Sequence, residues 1–268
     1  MSRKSQQPLR TTFEQVPGLY DRARPNYPTE IFEDIVELAQ LLPAARIIEI
    51  GCGTGQATLP LAQRGYKVTC VELGEQLAAL ARQKLEQFPD VEVVNANFET
   101  WRAPHGDFDA VTAFTAFHWI APEVRYKKSA SLLRDGGMLA VVTTAHVLPP
   151  GGDGFFVEVQ EDYEAVLPDD PGTKAGAPPS PDAVQDLSQE IAASGFFQNL
   201  ATRRYLWDVV YSVDEYIAVL ETYSDHRALD DVTRSRLLRR IHQRIESRRD
   251  GTVRKTYLAM LNVARAIS

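Results

Sequence analysis

The stretch that decides the fold of this chain is Glu49-Ile50-Gly51-Cys52-Gly53-Thr54-Gly55. It follows a short apolar run, 46–50, and precedes a segment of helical period, 56–64, so its glycines join a predicted strand to a predicted helix. Glycine lets the chain turn sharply and lets a ligand approach the backbone, and open α/β sheets bind ligands at the carboxyl ends of their strands. The stretch therefore predicts a site for a nucleotide-like ligand at the end of the first strand.

Two further positions narrow the choice of ligand. The dinucleotide fingerprint G-x-G-x-x-G requires a glycine at position 56, where this chain has Gln56. Glu72 stands 21 residues after Gly51, at the end of the second predicted strand. A carboxylate there can accept hydrogen bonds from both hydroxyls of a ribose, although a solvated loop acid is the alternative. The spacing disfavours a nicotinamide dinucleotide and favours another ribose-containing cofactor.

Short apolar runs alternate with segments of helical period from residue 29 to residue 144, which predicts an α/β fold with a doubly wound, mostly parallel sheet. The predicted strands in this part are 46–50, 67–71, 91–95, 109–114 and 138–143. A helix over 182–194 and a strand near 200–210 follow. The capping box Ser212-Val213-Asp214-Glu215 predicts the start of a helix, and we expect two more helices near 230–249 and 252–267.

The pattern divides the chain into four parts. Residues 1–144 form the predicted Rossmann-like core, 145–182 an insertion, 183–211 the remainder of the sheet and 212–268 a helical tail on the substrate side. The insertion is expected to contain a helix near 153–166 and then a loop, because 167–182 contains five prolines and two glycines. It is either a lid over the ligand or a connector without a catalytic role.

The overall composition is that of an ordinary globular protein, with 44% hydrophobic, 24% charged and 9% aromatic residues among 268. The net charge of −7 argues against binding along nucleic acid, because neutralising phosphates requires a basic surface. Residues 1–10 lack the apolar stretch of a secretory signal, and no apolar run is long enough to cross a bilayer, so we expect a cytoplasmic protein without membrane contact. Cys52 and Cys70 match neither a disulfide framework nor a metal-binding spacing, so we expect both to be reduced and no metal site.

One basic segment departs from this acidic average. Nine lysines or arginines lie between Arg234 and Lys255, against two acids. An apolar stripe runs along the opposite face of the same predicted helix, formed by Leu237, Leu238, Ile241 and Ile245. The pattern predicts a solvated helix face, and a site for an anionic substrate or partner is the alternative.

Several motifs in chain order resemble those of class I S-adenosylmethionine-dependent methyltransferases of the type 11 kind. Residues 49–55 resemble their first motif, and Glu72 matches their ribose-binding acid. Three more stretches correspond to their adenine loop, their fourth strand and the turn before their fifth: 95–101, 108–111 and 133–137. Residues 20–28 and 116–120 are similar to segments of small-molecule methyltransferases such as trans-aconitate methyltransferase. The resemblance implies a seven-stranded Rossmann-like sheet with a helical insertion and a helical C-terminal tail.

The resemblance also implies where S-adenosyl-L-methionine binds. The methionine part is expected against Gly51, Gly53 and Thr115, the ribose at Glu72, and the adenine at Leu73, Asn97 and Phe98. Asn97 replaces an Asp that is frequent in the family but can still hydrogen-bond the base, whereas Phe98 has ordinary core packing as its alternative. The full set of expected cofactor-binding residues is Tyr20, Arg24, Glu49, Gly51, Cys52, Gly53, Gly55, Gln56, Glu72, Leu73, Asn97, Phe98 and Thr115.

Methyl transfer from a sulfonium needs alignment in a dry pocket more than it needs catalytic groups. His118 follows the fourth strand and is the candidate general base, with a structural histidine as the alternative. The candidate substrate-binding residues are Tyr27, Trp119, Tyr223 and His226. Packing is the alternative for Tyr27 and Trp119, and a solvated helix end is the alternative for Tyr223 and His226.

The sequence thus predicts a methyltransferase that uses S-adenosyl-L-methionine and a small-molecule acceptor, on an oxygen, nitrogen or carboxylate. Methylation of RNA or protein is one alternative, and it requires the arginines of 234–255 to face the mouth of the pocket. A binding protein that keeps the cofactor pocket without turnover is another. The identity of the acceptor and the oligomeric state do not follow from the sequence.

Overall fold

The computed structural model describes residues 17–103, 106–168 and 176–267. Seven strands form one sheet in the order β3-β2-β1-β4-β5-β7-β6. Strands β1 to β5 are mutually parallel, and β7 runs antiparallel to both of its neighbours. The strands are β1 (Arg46–Ile50), β2 (Lys67–Glu72), β3 (Val91–Asn95), β4 (Phe108–Phe114), β5 (Leu133–Val147), β6 (Phe197–Ser212) and β7 (Thr252–Ala266).

Helices cover both faces of the sheet and continue beyond its carboxyl edge. Before β5 they are α1 (Pro17–Ala23), α2 (Thr29–Leu38), α3 (Thr58–Gln63), α4 (Glu75–Leu85) and α5 (Pro122–Leu132). After β5 they are α6 (Phe155–Glu158), α7 (Gln160–Val166), α8 (Ser188–Ala193), α9 (Val213–Glu221), α10 (Ser224–Arg227) and α11 (Asp231–Glu246). We refer to α6, α7 and α9–α11 as the helical cap. Three large apolar clusters result, one on each face of the sheet and one between the cap and the ends of β6 and β7.

The predicted doubly wound sheet is confirmed, and the five strands expected before the insertion are present. The strand order reverses at β1, whose neighbours are β2 on one side and β4 on the other. Open α/β sheets bind ligands at such a switch point, outside the carboxyl ends of the strands. The fold therefore opens a crevice directly above the glycine stretch.

The expected C-terminal helix over 252–267 is wrong, because 252–266 form β7. This strand lies between β5 and β6 and is buried at almost every position from Val253 to Ala264. A strand buried on both faces is a continuous apolar run, and such a run cannot be told from a buried helix by its period. Only the first part of the expected helical tail, α9 to α11, is helical. The capping box of Ser212 and Glu215 at the start of α9 is present.

The insertion is also more broken than expected. The helix predicted near 153–166 is two short helices, α6 and α7, and the helix predicted over 182–194 is a single 3-10 turn followed by α8. Positions 169–175 of the predicted loop lie outside the described residues.

Three arginines of the basic segment, Arg240, Arg244 and Arg248, bind acids of the insertion. Asp162 of α7 is buried, with 3% of its surface exposed, between Arg240 and Arg244. Arg248 donates to Asp153 at 2.8 Å. Part of the basic segment is therefore paired within the chain, while Arg236, Arg239 and Arg249 are exposed, as expected of a solvated face.

Other expectations from composition can be compared with the described residues. Cys52 and Cys70 are buried free thiols, as expected. None of the helices in the described ranges combines the length and apolar character that a bilayer-spanning helix needs. Within the same ranges, no group of three His, Cys, Asp or Glu side chains is arranged to hold a metal ion.

Candidate active site

The three glycines after β1 are each required for a different reason. All have positive φ, at 66° for Gly51, 58° for Gly53 and 84° for Gly55. A Cβ on Gly51 would lie 2.6 Å from the Cβ of Ala116, and one on Gly55 would lie 3.0 Å from the Leu85 side chain. A Cβ on Gly53 would meet only the Tyr20 ring, at 3.9 Å, because this residue opens onto a cleft. The loop thus presents bare backbone to whatever occupies the cleft.

Glu72 at the end of β2 is held in a fixed orientation beside this loop. Its Oε2 accepts a hydrogen bond from the Gly53 N–H and its Oε1 accepts one from the Gly74 N–H, both at 2.8 Å. Only 7% of the residue is exposed, and it lines the cleft. A carboxylate has about four acceptor positions, so these two bonds leave capacity for hydroxyl donors from a ligand.

Glu49 lies behind the glycine loop and is 1% exposed. Burial raises the pKa of its carboxyl to about 7; a hydrogen bond from Thr58 opposes that shift and the charge of Glu72 adds to it. Its Oε2 has no hydrogen-bond partner among the described residues. A buried acceptor without a partner is rare in folded proteins and suits a site whose ligand carries a cation or a donor.

Leu73, Asn97 and Phe98 form one wall of the cleft. Phe98 is 3% exposed, so it also belongs to the core. The Asn97 Oδ1 accepts a hydrogen bond from the Glu99 N–H at 3.0 Å, which leaves the amide NH₂ of Asn97 to donate into the cleft. The wall offers an apolar slot with a single polar group at its edge.

Polar contacts fasten α1 over the glycine loop. The Thr54 hydroxyl donates to Asp21 Oδ1 at 2.6 Å, and Lys84 forms an ion pair with the same oxygen. The Gln56 amide donates to the backbone carbonyls of Asp21 and Arg24, both at 3.3 Å. Gln56, which replaces the third glycine of the dinucleotide motif, therefore acts as a clamp that brings α1 to the mouth of the cleft.

The end of β4 carries a strained residue. Thr115 has φ of 53°, which is an outlier for a β-branched side chain. Its hydroxyl is 2.9 Å from the Tyr27 hydroxyl and 3.1 Å from the Thr144 hydroxyl, and these two contacts fix its orientation. Strain of this kind is kept where the surrounding structure over-determines the conformation, and it is frequent at functional sites.

His118 and Trp119 lie in a 3-10 turn directly after this strand end and line the same cleft. Their rings are 4.7 Å apart, and the His118 ring reaches solvent through the cleft. Enclosure by surrounding protein atoms, and then the charge of Arg125, lower the pKa of His118 to about 4. Its imidazole is therefore neutral at physiological pH and able to accept a proton.

The structure brings most of the expected cofactor residues to one cleft. Those that line it are Tyr20, Arg24, Gly51, Gly53, Glu72, Leu73, Asn97, Phe98 and Thr115, together with His118 and Trp119. Glu49, Cys52, Gly55 and Gln56 belong to the loop or flank it and do not line the cleft. Seven further lining residues were not predicted, because they are ordinary apolar residues without a functional motif. They are Ile50, Val71, Leu77, Ala96, Phe114, Ala116 and Ile120.

The other expected substrate residues lie outside this cleft. Tyr27 lines a neighbouring surface cleft with Tyr205 and Trp207. His226 is 5% exposed and has both ring nitrogens engaged, with the Tyr163 hydroxyl at 2.8 Å and Asp225 at 2.9 Å. It therefore joins α10 to α7. Tyr223 lies deeper, between Arg24 and Lys255.

Comparison with known proteins agrees with this geometry. Residues 47–137 match a family model described as a methyltransferase domain. An uncharacterized methyltransferase of Mycobacterium tuberculosis is 31% identical over 140 residues, which cover 52% of this chain and 54% of that protein. A trans-aconitate 2-methyltransferase of Afipia carboxidovorans is 36% identical over 107 residues, which cover 39% and 41%. The chain thus spans about half the length of the curated relatives that it matches.

A solved structure from Anaeromyxobacter dehalogenans, named as a type II methyltransferase, superposes with a TM-score of 0.62. The match covers 90% of this chain and 97% of that one at 22% identity, so the similarity of fold extends through the cap and the last strands. The glycine loop, Glu72 and the switch point formed by β1, β2 and β4 fall in the part matched by the family model. Residues 47–137 are thus the part of the chain that matches a methyltransferase domain.

Proposed function

We propose that this protein transfers a methyl group from S-adenosyl-L-methionine to an oxygen, nitrogen or carboxylate of a small molecule. The observation that carries the proposal is the shared cleft: the glycine loop, the oriented Glu72 and a neutral imidazole line one space at the switch point of the sheet. The trans-aconitate and ubiquinone-biosynthesis methyltransferases among the relatives act on small molecules, which supports the same class of acceptor.

The residues of the cleft suit the parts of the cofactor. Glu72 would accept hydrogen bonds from the ribose hydroxyls, and Leu73 and Phe98 would enclose the adenine. Asn97 would donate to a ring nitrogen of the base, because its oxygen is already bonded to the Glu99 N–H. The buried Glu49, with an oxygen that lacks a partner, fits the cationic amino acid end. When bound, the cofactor supplies an activated methyl group on a sulfonium.

The remaining groups act on the acceptor. His118 is close to the strained end of β4 and is unprotonated at neutral pH, so it can take the proton that an oxygen or nitrogen nucleophile loses. Trp119 and Ile120 would exclude water beside it. Two N–H groups of Arg24 are committed to Thr222, so Arg24 contributes charge to the cleft rather than a full set of donors.

Methylation of RNA or protein has less support. That activity requires a basic groove at the mouth of the cleft, and three arginines of the basic segment, Arg240, Arg244 and Arg248, are instead paired with acids of the insertion. A protein that binds the cofactor without turnover differs from the proposal only in activity, so it has to be separated by assay.

The direct test is formation of S-adenosylhomocysteine from S-adenosylmethionine across a panel of small-molecule acids, alcohols and amines. We expect turnover with at least one acceptor, and a fall of about 100-fold or more for His118→Gln at unchanged cofactor affinity. Because the pKa of His118 is about 4, the rate of the wild type should not change between pH 6 and pH 8 through this residue. Equal rates for wild type and His118→Gln would remove the base role. Cofactor binding without turnover on any acceptor would favour the non-catalytic alternative.

A further inference from the structure

A fully buried lysine lies on β7 where this strand packs against the helical cap, beyond the cleft. Lys255 of β7 is 1% exposed, and its amino group is 2.5 Å from the Tyr223 hydroxyl. The same ammonium lies 4.9 Å, 5.0 Å and 5.8 Å from the ring centroids of Tyr223, Tyr257 and Tyr216. A buried cation is costly unless an anion accompanies it. In the ranges that the structure describes, no carboxylate forms an ion pair with Lys255.

Arg24 adds a second positive charge on the other side of the same phenol. Its guanidinium carbon lies 4.5 Å from the centroid of the Tyr223 ring, and it donates to the Thr222 hydroxyl and carbonyl. Although burial would raise the pKa of Tyr223, the charges of Lys255 and Arg24 outweigh it and lower that pKa. Even an ionised Tyr223 would leave one positive charge in excess.

A line of polar groups connects this cluster to the cleft. Thr115 contacts Thr144 on β5, and His146 follows two residues later on the same face of the strand. His146 has a buried Nε2 without a partner among the described residues, and it lies opposite Tyr257 in the sheet. Burial and the charge of Lys255 hold the pKa of His146 well below its usual range, so its ring is neutral and can donate or accept one hydrogen bond at each nitrogen.

We propose that Lys255, with Arg24 and His146 beside it, forms the site that holds a carboxylate of the methyl acceptor. The inference rests on the proposed function, and it adds the chemical class of the substrate. The phenol of Tyr223 occupies the place next to Lys255 in the structure, and the acceptor carboxylate displaces it. A carboxylate carries one negative charge, which matches the single excess positive charge of this cluster. A phosphate dianion needs more positive charge and more hydrogen-bond donors than the cluster offers.

The register of the sheet shows how far along β7 Lys255 lies from the strand end beside the cleft. Thr144 pairs with Ala259, and Lys255 lies four residues further along β7. At about 3.3 Å per residue, the two backbone positions are about 13 Å apart. An acceptor held at Lys255 would therefore have to extend from the cleft toward the helical cap.

The test uses calorimetry with matched pairs of an acid and its amide: 4-phenylbutyrate with 4-phenylbutyramide, and adipate with adipamide. Each probe is titrated into the protein with and without saturating S-adenosylhomocysteine. We expect at least one acid to bind the wild type ten times more tightly than its amide. The Lys255→Met variant should lose this preference, Lys255→Arg should keep it, and the exposed Lys67→Met should leave it unchanged.

The outcomes separate this site from the cofactor site. No preference for the acids in the wild type, or an undiminished preference in Lys255→Met, would overturn the inference. Should Lys255→Met fail to fold, Tyr223→Phe is decisive: it removes only the displaced hydroxyl, so acid binding should be kept or tightened, and its loss would contradict the proposal. Failure of S-adenosylhomocysteine to bind, with the acid preference intact, would count against the proposed function and not against this site.

Discussion

In the half of the site formed by β1, β2 and α4, the backbone conformation restricts which residue types fit. In the cluster around Lys255, next to the helical cap, side chains from distant parts of the chain come together by packing. Gly51 and Gly55 are required by positive φ and by close neighbours, and Glu72 is oriented by two amide groups. The cluster around Lys255 instead combines Arg24, His146 and Lys255 from three distant parts of the chain. A required backbone conformation restricts the residue types at fixed spacings, so it can be recognised in the sequence. A cluster that packing assembles from distant residues has no such sequence pattern.

The largest effect is expected for Gly51→Ala, which tests the backbone requirement of the glycine loop. Gly136→Ala is its matched control. Both glycines have positive φ, but a Cβ at Gly51 would lie 2.6 Å from Ala116, and one at Gly136 meets nothing within 4 Å. We expect Gly51→Ala to lower the free energy of unfolding by about 2–5 kcal/mol, from φ strain and overpacking, and Gly136→Ala by only about 1–2 kcal/mol. Thermal and urea unfolding measure both, and equal losses would refute a special demand at Gly51.

A second prediction concerns Glu49, whose pKa is raised from 4.5 to about 7 by burial. Between these two values the unfolded state is ionised while the folded state holds the proton, so stability falls as pH rises from about 4.5 to 7 and then levels off. The cost at pH 8 is on the order of 3 kcal/mol. Glu49→Gln should therefore stabilise the free protein at pH 8 by up to that amount and have little effect at pH 4.

The same carboxylate should favour a cationic ligand once it is ionised. We expect the affinity of the wild type for S-adenosylhomocysteine to rise between pH 6 and pH 8, and that of Glu49→Gln to stay flat and weaker. Calorimetry at several pH values measures this. A variant that is more stable at pH 8 and also binds more tightly would show that Glu49 has no part in the cofactor site.

The smallest effect is expected in the cap, at Asp162. Asp162→Asn weakens a buried contact with Arg240 and Arg244, and because both arginines are partly exposed we expect a loss of about 1–3 kcal/mol. Asp231→Asn is the control, since the Asp231 side chain is 89% exposed and pairs with Arg234 at the surface. It should cost less than about 1 kcal/mol. Affinity for S-adenosylhomocysteine should not change in either variant. A change in Asp162→Asn would show that the contact of Asp162 with Arg240 and Arg244 influences the cleft.

Sequence alone predicted the first five strands and brought the glycine stretch and Glu72 to one cleft, as the structure shows. It failed at β7, because a strand buried on both faces has no alternation to distinguish it from a helix. It also assigned the arginines of α11 to a solvated face, because their partners Asp153 and Asp162 lie about 80 residues or more away in the chain. Lys255 was counted within that basic run, and only the fold places it in the interior.

Cofactor binding in the cleft is tested most directly by calorimetric titration with S-adenosylhomocysteine. The proteins compared are the wild type, Glu72→Ala and the exposed control Glu37→Ala. We expect one-to-one binding to the wild type and to Glu37→Ala. For Glu72→Ala we expect a dissociation constant about 10- to 150-fold larger, because the lost hydrogen bonds to a charged group are worth about 1.5–3 kcal/mol. No binding to the wild type, or equal affinity for all three proteins, would contradict cofactor binding through Glu72.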